Sequence, residues 1–381
     1  MSQDIETRCL HLPEEEEQRE LMASHGALSI PIYQTATFAH VTDDGYDYSR
    51  ESNPTRAHLE KIVAGLENGC DCVATSSGMA AIALVMELFT PGDIVLSDSD
   101  LYGGSIRFFQ TVTEKYGVKV VNRPLYRDYT VESGTAAVYL ETPTNPMMHV
   151  TDMARIAESA HSAGALLIVD NTFLSPYFQN PLDFGADIVI HSGTKFLAGH
   201  HDVLAGFVVT RRPELAGKLR RLSVTTGAVL SPQDCWLVTR GIKTLALRMD
   251  RAQENAIAVA NFLLERPEVE KVLYPGLPDA EGYAIMEKQA RGFGAVLTVE
   301  LKSAALARGI LQHTHLIKFA ESLGGTESLV TYPITQTHAD VPVSIREANG
   351  LNDRIVRFSL GIESERDLIA DLKRTFDEAE E

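Results

Sequence analysis

The chain has 381 residues, 44% of them hydrophobic and 23% charged, which is enough for a large core and, at about 150 residues per domain, two or three domains. Its 52 acidic and 34 basic side chains give a formal charge of −18, which argues against nucleic acid or an anionic membrane as the main partner but leaves room for a small anionic ligand in a local basic site. The most apolar stretch, Met79 to Phe89, is too short to span a bilayer, and the N-terminus is polar and has no signal core, so the expected compartment is the cytoplasm.

Residues 1 to about 45 show weak periodicity. They contain the acidic run Glu14-Glu15-Glu16-Glu17 and the extended Ile30-Pro31-Ile32-Tyr33-Gln34-Thr35-Ala36-Thr37-Phe38. A segment without an apolar face cannot build its own core, so residues 1–46 are expected to form an arm lying on a partner subunit. From Asp71 to Thr210 short apolar runs alternate with helical stretches. The predicted strands are Cys72–Thr75, Ile94–Ser97, Val118–Asn122, Ala136–Glu141, Ala165–Asp170, Ile188–His191 and Gly206–Thr210. Ile106–Tyr116 and Met153–Ala163 read as amphipathic helices between them. This alternation predicts an α/β domain with a mostly parallel sheet, whose ligands gather at the carboxyl ends of the strands. A long helical pattern follows from Pro232 to Leu264, broken at Arg240-Gly241. Strands at Phe293–Leu301 and Ile355–Leu360 and a helix at Glu365–Glu378 then suggest a smaller α+β domain. The cysteines Cys9, Cys70, Cys72 and Cys235 include one C-x-C and no second pair, a poor zinc signature; reduced thiols and no metal are expected.

Three strand ends carry the chemistry. Asp170 closes the run Ala165–Val169, where it is either a turn or capping acid or a partner for a protonated ring nitrogen. His191-Ser192-Gly193-Thr194-Lys195 follows Ile188-Val189-Ile190. Its hydroxyls can bond a phosphate, and its lysine is either a surface residue or a desolvated amine able to form a Schiff base. Ser76-Ser77-Gly78-Met79 leads a strand into a helix, as a plain turn or as a phosphate site on free backbone N–H groups. Neither a P-loop nor a dinucleotide fingerprint is present. Together these ends supply a phosphate cradle, an acid for a pyridinium and a lysine for an aldehyde, which is what pyridoxal 5'-phosphate (PLP) needs.

Here the sequence resembles the Cys/Met-metabolism PLP enzymes, which include cystathionine γ-synthase, cystathionine β- and γ-lyases and methionine γ-lyase. The resemblance runs from about Ile30 to the C-terminus. It covers Tyr48-Ser49-Arg50, Asn53-Pro54-Thr55, Ser76-Ser77-Gly78-Met79, Leu101-Tyr102-Gly103-Gly104 and Glu141-Thr142-Pro143-Thr144-Asn145-Pro146. It continues through Asp170-Asn171-Thr172-Phe173, Ser192-Gly193-Thr194-Lys195 and Arg357-Phe358-Ser359-Leu360-Gly361-Ile362-Glu363. It implies the aspartate-aminotransferase-like fold type I, with an arm (1–46), a PLP-binding domain (47–246) and a C-terminal domain (247–381).

The resemblance also implies roles. Lys195 forms the Schiff base and shuttles protons, Asp170 pairs with the ring nitrogen, and Tyr102 stacks on the ring. Gly78, Met79, Ser192 and Thr194 hold the phosphate, joined by Tyr48 and Arg50 of the neighbouring subunit in a homotetramer built from two dimers. Arg357 grips the substrate carboxylate, helped by Asn145 and the Ser328-Leu329 backbone.

His200-His201-Asp202 and Met147-Met148 read as structural, and His338 either packs structurally or lines the site entrance. Methionine γ-lyases usually carry a cysteine near Gly104, which speaks against that branch. The runs Thr331–Asp340, Tyr46–Arg50 and Gly199–Gly206 look most like β-lyases of the Gram-positive type. The implied reaction is β-elimination of L-cystathionine to homocysteine, pyruvate and ammonia, with Tyr102 or Lys195 protonating the thiolate. A γ-synthase or γ-lyase is the alternative, and a PLP-fold protein without catalysis is a distant one, because the motif set is complete.

Overall fold

The structure is a computed structural model that describes residues 3–11, 26–40 and 45–379; the Glu14–Glu17 run lies outside the described residues. The first described helix is Ile5–Leu10. It docks on its own chain, with Cys9 buried beside Leu59, Ile62 and Val63 and the Arg8 guanidinium donating to Asn68 Oδ1 at 2.9 Å. Residues 26–40 form no helix or strand beyond an isolated bridge from Thr37 to Tyr48, and Leu28 is 88% exposed. Asn53 then starts the helix Pro54–Leu66: its Oδ1 accepts the N–H of Thr55 at 3.0 Å, and Pro54 has no first-turn N–H to satisfy.

Seven strands form the main sheet: β1 (Asp71–Thr75), β2 (Ile94–Asp98), β3 (Lys119–Arg123), β4 (Thr135–Glu141), β5 (Leu166–Asp170), β6 (Ile188–Ser192) and β7 (Gly206–Thr210). Each lies within one residue of its predicted bounds. Their order is β1-β7-β6-β5-β4-β2-β3; β7 runs antiparallel to both neighbours and the other pairs are parallel. The central strands are apolar up to their polar carboxyl ends because both faces are buried. Leu167, Val169 and Val189 enter one core, and Ile168, Ile188 and Ile190 enter another. As β7 opposes both β1 and β6, those two share a direction, and the carboxyl ends of β1, β4, β5 and β6 lie on one edge of the sheet.

A second sheet holds β8 (Val269–Leu273), β9 (Val296–Leu301), β10 (Lys318–Phe319), β11 (Leu329–Thr331) and β12 (Ile355–Ser359), in the order β10-β11-β12-β9-β8. The helix Glu365–Ala379 closes the chain and packs Leu368, Leu372 and Phe376 into the core of this sheet. The long helical region breaks at Lys243-Thr244, between the helices Pro232–Ile242 and Leu245–Leu264, and not at Arg240-Gly241. Gly241 stays helical. It is small because its Cα approaches the carbonyls of Leu197 and Ala198 too closely for any side chain. In the second helix Leu245, Met249 and Ala252 belong to a core of the large sheet, while Ala256, Val259 and Leu263 belong to that of the small one. The boundary expected at residue 246 therefore falls inside a helix that both cores share. Among the described residues no helix is long and apolar enough to cross a membrane.

Candidate active site

The strand ends open on a cavity of about 200 Å³ that is also reached by residues of the second sheet. Gly78 and Met79 line it at the start of the helix Gly78–Met86. First-turn N–H groups have no intrahelical acceptor, and Ser77 Oγ takes that of Ala80 at 3.1 Å, so those of Gly78 and Met79 remain for an anion. Gly78 is held against the turn after β6: a Cβ there would lie 2.8 Å from Ser192 Cβ. Ser192 and Thr194 line the same wall, and Thr194 Oγ1 accepts the Ala205 N–H at 3.0 Å.

Asp170 and Glu141 lie side by side at the ends of β5 and β4. Asp170 Oδ1 accepts both the N–H of Thr172 at 3.0 Å and its hydroxyl at 2.5 Å, and Glu141 Oε1 accepts the N–H of Tyr102 at 2.9 Å. Burial raises both carboxyls above their ordinary range; the Thr172 hydrogen bonds oppose the rise at Asp170, and the charge of Asp170 adds to it at Glu141. Two neighbouring buried acids call for a cation, and a protonated ring nitrogen is one.

Lys195 is half-buried, and its Nζ donates to Ser322 Oγ at 2.8 Å. Desolvation, and then the charge of Arg357, bring the amine down to about 8. Ser322 has φ 96°, a left-handed conformation that non-glycine residues seldom adopt and that concentrates at functional sites. Arg357 is buried in β12. It donates to Asn145 Oδ1 at 2.9 Å, to Ser322 O at 3.0 Å and to Thr331 Oγ1 at 3.2 Å. Its Nε has no partner, no carboxylate among the described residues pairs with it, and burial lowers its pKa to about 10. A buried guanidinium without a counter-ion is costly, so the site is built to receive a carboxylate. The Tyr102 phenol also faces the cavity, and burial holds its pKa up, so it carries its proton at neutral pH. Gly104 lies directly under that ring, where any side chain would displace it.

Two expectations change. Ser328 and Leu329 do not line the cavity: the Ser328 hydroxyl is used by Glu363 Oε2 at 2.8 Å and by the Gly361 N–H at 2.8 Å. The sequence Glu-Ser-Leu occurs twice, and it is the first copy, Glu321-Ser322-Leu323, that faces Lys195 and Arg357. His338 is not at the entrance but buried, bonded to backbone behind Tyr102 and Asn145. Tyr48 and Arg50 lie outside their own chain's cavity, with the Arg50 guanidinium donating to Val224 O. His200 Nδ1 sits 2.7 Å from Ala198 O, and Met147 and Met148 are buried. Thr172, Glu321 and Ser322 were missed as site residues. The Asp-x-Thr spacing after an apolar strand was the available signal for Thr172.

These residues fit PLP: an anion cradle, an acid for its ring nitrogen and a desolvated amine for its aldehyde. The Cys/Met metabolism PLP-dependent enzyme family model matches residues 6–377. A cystathionine β-lyase of Lactococcus lactis subsp. cremoris is 44% identical over 92% of this chain and 94% of its own. A cystathionine γ-synthase of Haemophilus influenzae is 45% identical over 92% of this chain and 93% of its own. A solved cystathionine γ-lyase from Lactobacillus plantarum, complexed with L-serine, superposes with TM-score 0.94 at 41% identity, covering 99% of this chain and all of that one. With a cradle, acid and amine converging on one cavity and these relatives matching nearly end to end, the chain belongs to the Cys/Met metabolism PLP-dependent enzymes and its cofactor is PLP.

Proposed function

We propose that this enzyme cleaves the Cβ–S bond of L-cystathionine, consuming one water and yielding homocysteine, pyruvate and ammonia. The observation that carries the reading is the link Arg357–Ser322–Lys195. One residue, Ser322, accepts from Arg357 Nη2 at its carbonyl (3.0 Å) and from Lys195 Nζ at its hydroxyl (2.8 Å). A carboxylate held by Arg357 thus places the neighbouring Cα beside the amine.

Bound in this cavity, PLP supplies an aldehyde for an amino group and an electron sink for the pair left at Cα. Gly78, Met79, Ser192 and Thr194 would hold its phosphate, Asp170 its ring nitrogen, and Tyr102 its ring face. Arg357, held by Asn145, orients the substrate carboxylate. With its pKa near 8, Lys195 has an appreciable neutral fraction at physiological pH and takes the Cα proton. Tyr102 keeps its proton and delivers it to the leaving thiolate. β-Elimination requires one proton removed at Cα and one given to sulfur, and the cavity holds one group suited to each. Glu321, also on the cavity wall, offers a carboxylate to the distal ammonium of a diamino dicarboxylate such as cystathionine.

A γ-reaction is the second reading, favoured by the γ-synthase and γ-lyase among the relatives; it needs a further proton taken from Cβ, which Lys195 could also remove. Incubation with L-cystathionine separates the two. Pyruvate with homocysteine supports β-elimination, whereas 2-oxobutyrate with cysteine overturns it. Turnover only with an O-acylhomoserine and cysteine makes the enzyme a γ-synthase.

The assembly belongs to the same proposal: Tyr48 and Arg50 complete the cavity of a neighbouring subunit in a dimer, two of which form a tetramer. Supporting this, Tyr48 is 44% exposed, and the arm beside it presents Leu28 and Ile32 to solvent.

A further inference from the structure

His338 lies in the segment 332–342, between β11 and the helix Val343–Ala348, and is buried. Its Nε2 is 3.0 Å from Leu101 O and 3.2 Å from Asn145 O, and its Nδ1 is 2.8 Å from Thr337 Oγ1. Carbonyl oxygens only accept, so Nε2 carries the proton and is shared between the two carbonyls, while Nδ1 accepts the Thr337 hydroxyl. Leu101 immediately precedes Tyr102, and the Asn145 side chain holds Arg357. Thr337 itself lines the cavity, and its carbonyl presses so closely on Gly103 that no side chain fits there. Three chain segments far apart in sequence therefore meet at one ring.

We propose that His338 is a positioning residue of the active site, a neutral imidazole that locks the Tyr102 loop, the Asn145 loop and the Thr337 segment into one arrangement. Through Leu101 it fixes where the Tyr102 phenol stands. Through Asn145 it fixes the guanidinium that receives the substrate carboxylate. Burial holds the imidazole down at about 4, so the ring stays neutral across the physiological range and keeps this donor–acceptor pattern. The inference rests on the roles given above to Tyr102 and Arg357, but not on whether β- or γ-cleavage occurs.

The test compares His338→Gln with His338→Asn in the PLP-loaded enzyme. A glutamine amide reaches to the Nε2 position and can donate to both carbonyls; an asparagine amide stops at the Nδ1 position and cannot. Three quantities are read: Tm, kcat and KM for the sulfur substrate that the wild type cleaves, and the Kd of glycine from the cofactor absorbance change. Glycine has no leaving group, so this binding readout stands even if the proposed reaction is wrong. The expected result is His338→Gln within about threefold of wild type, with His338→Asn losing on the order of a hundredfold in kcat/KM and binding glycine about tenfold more weakly. A wild-type-like Asn variant overturns the proposal. So does a Gln variant as impaired as Asn, or a Gln variant with unchanged Tm and more than a tenfold loss, and the latter decides even if Asn does not fold.

Discussion

Lys195 can attack an aldehyde only as the neutral amine, and the residues around it set the pH at which that form prevails. Burial and the Arg357 charge bring it down to about 8 from the ordinary lysine value. Lowering the pKa of a cation enlarges the neutral fraction at a given pH. PLP uptake by the stripped protein should therefore accelerate about tenfold per unit up to pH 8 and level off above it. Stopped-flow absorbance checks this; a rate still climbing at the same slope to pH 10 would mean that the amine is not desolvated. Thr172 gives a second expectation. Its hydroxyl donates to Asp170 Oδ1 at 2.5 Å and accepts the Ser192 N–H at 2.8 Å, linking the acid to the phosphate-binding turn. Thr172→Val keeps the shape and removes the link, and should weaken PLP binding by roughly tenfold to a hundredfold, whereas Thr172→Ser restores it. Equilibrium dialysis measures both variants. Asp170 and Lys195 were legible in the sequence because one ends an apolar strand and the other sits in the polar turn directly after the next one. Ser322 was not, because its Glu-Ser-Leu context is repeated six residues later and only the fold tells the copies apart.

Two elements touch where the anion cradle forms: the start of the helix Gly78–Met86 and the turn after β6. Their spacing depends on Gly78 having no side chain, since a Cβ would stand 2.8 Å from Ser192 Cβ. The substitution Gly78→Ala should push the turn outward and raise the PLP Kd about tenfold with a smaller effect on Tm, because only one wall of the cavity moves. A calorimetric Kd within twofold of wild type would show that the turn yields freely. The same scale explains what sequence reading captured. The central strands β4 to β6 were found because burial on both faces leaves an apolar run before each polar carboxyl end, whereas the edge strand β3 is largely exposed and showed only through its short Val120-Val121 core. In the second sheet β10 and β11 have two and three residues, too few for any periodicity to register. Gly241 read as a break, but its smallness serves the close pass of the Leu197 and Ala198 carbonyls just beyond Lys195.

At the scale of the whole molecule the cavity is furnished by residues from 77 to 357 of one chain, yet two residues expected to hold the phosphate, Tyr48 and Arg50, lie outside it. Nothing in a single sequence says which copy of the chain a residue serves; the exposure of Tyr48 and of the arm beside it is the structural hint. If each cavity borrows Arg50 from its neighbour, two inactive variants should repair one another. In a mixed dimer of Lys195→Ala and Arg50→Ala chains, the cavity bearing the intact Lys195 receives an intact Arg50 from the other chain, while the second cavity carries both defects. Random pairing makes half the dimers mixed, so co-refolding equal amounts should recover about a quarter of wild-type activity from two preparations that have almost none. If each chain instead used its own Arg50, every cavity in the mixture would carry a defect, and activity would stay at the level of the separate variants whatever the ratio. Mixing ratio is a second control: the recovered activity should peak at equal amounts and fall symmetrically on either side, because only mixed dimers contain a whole site.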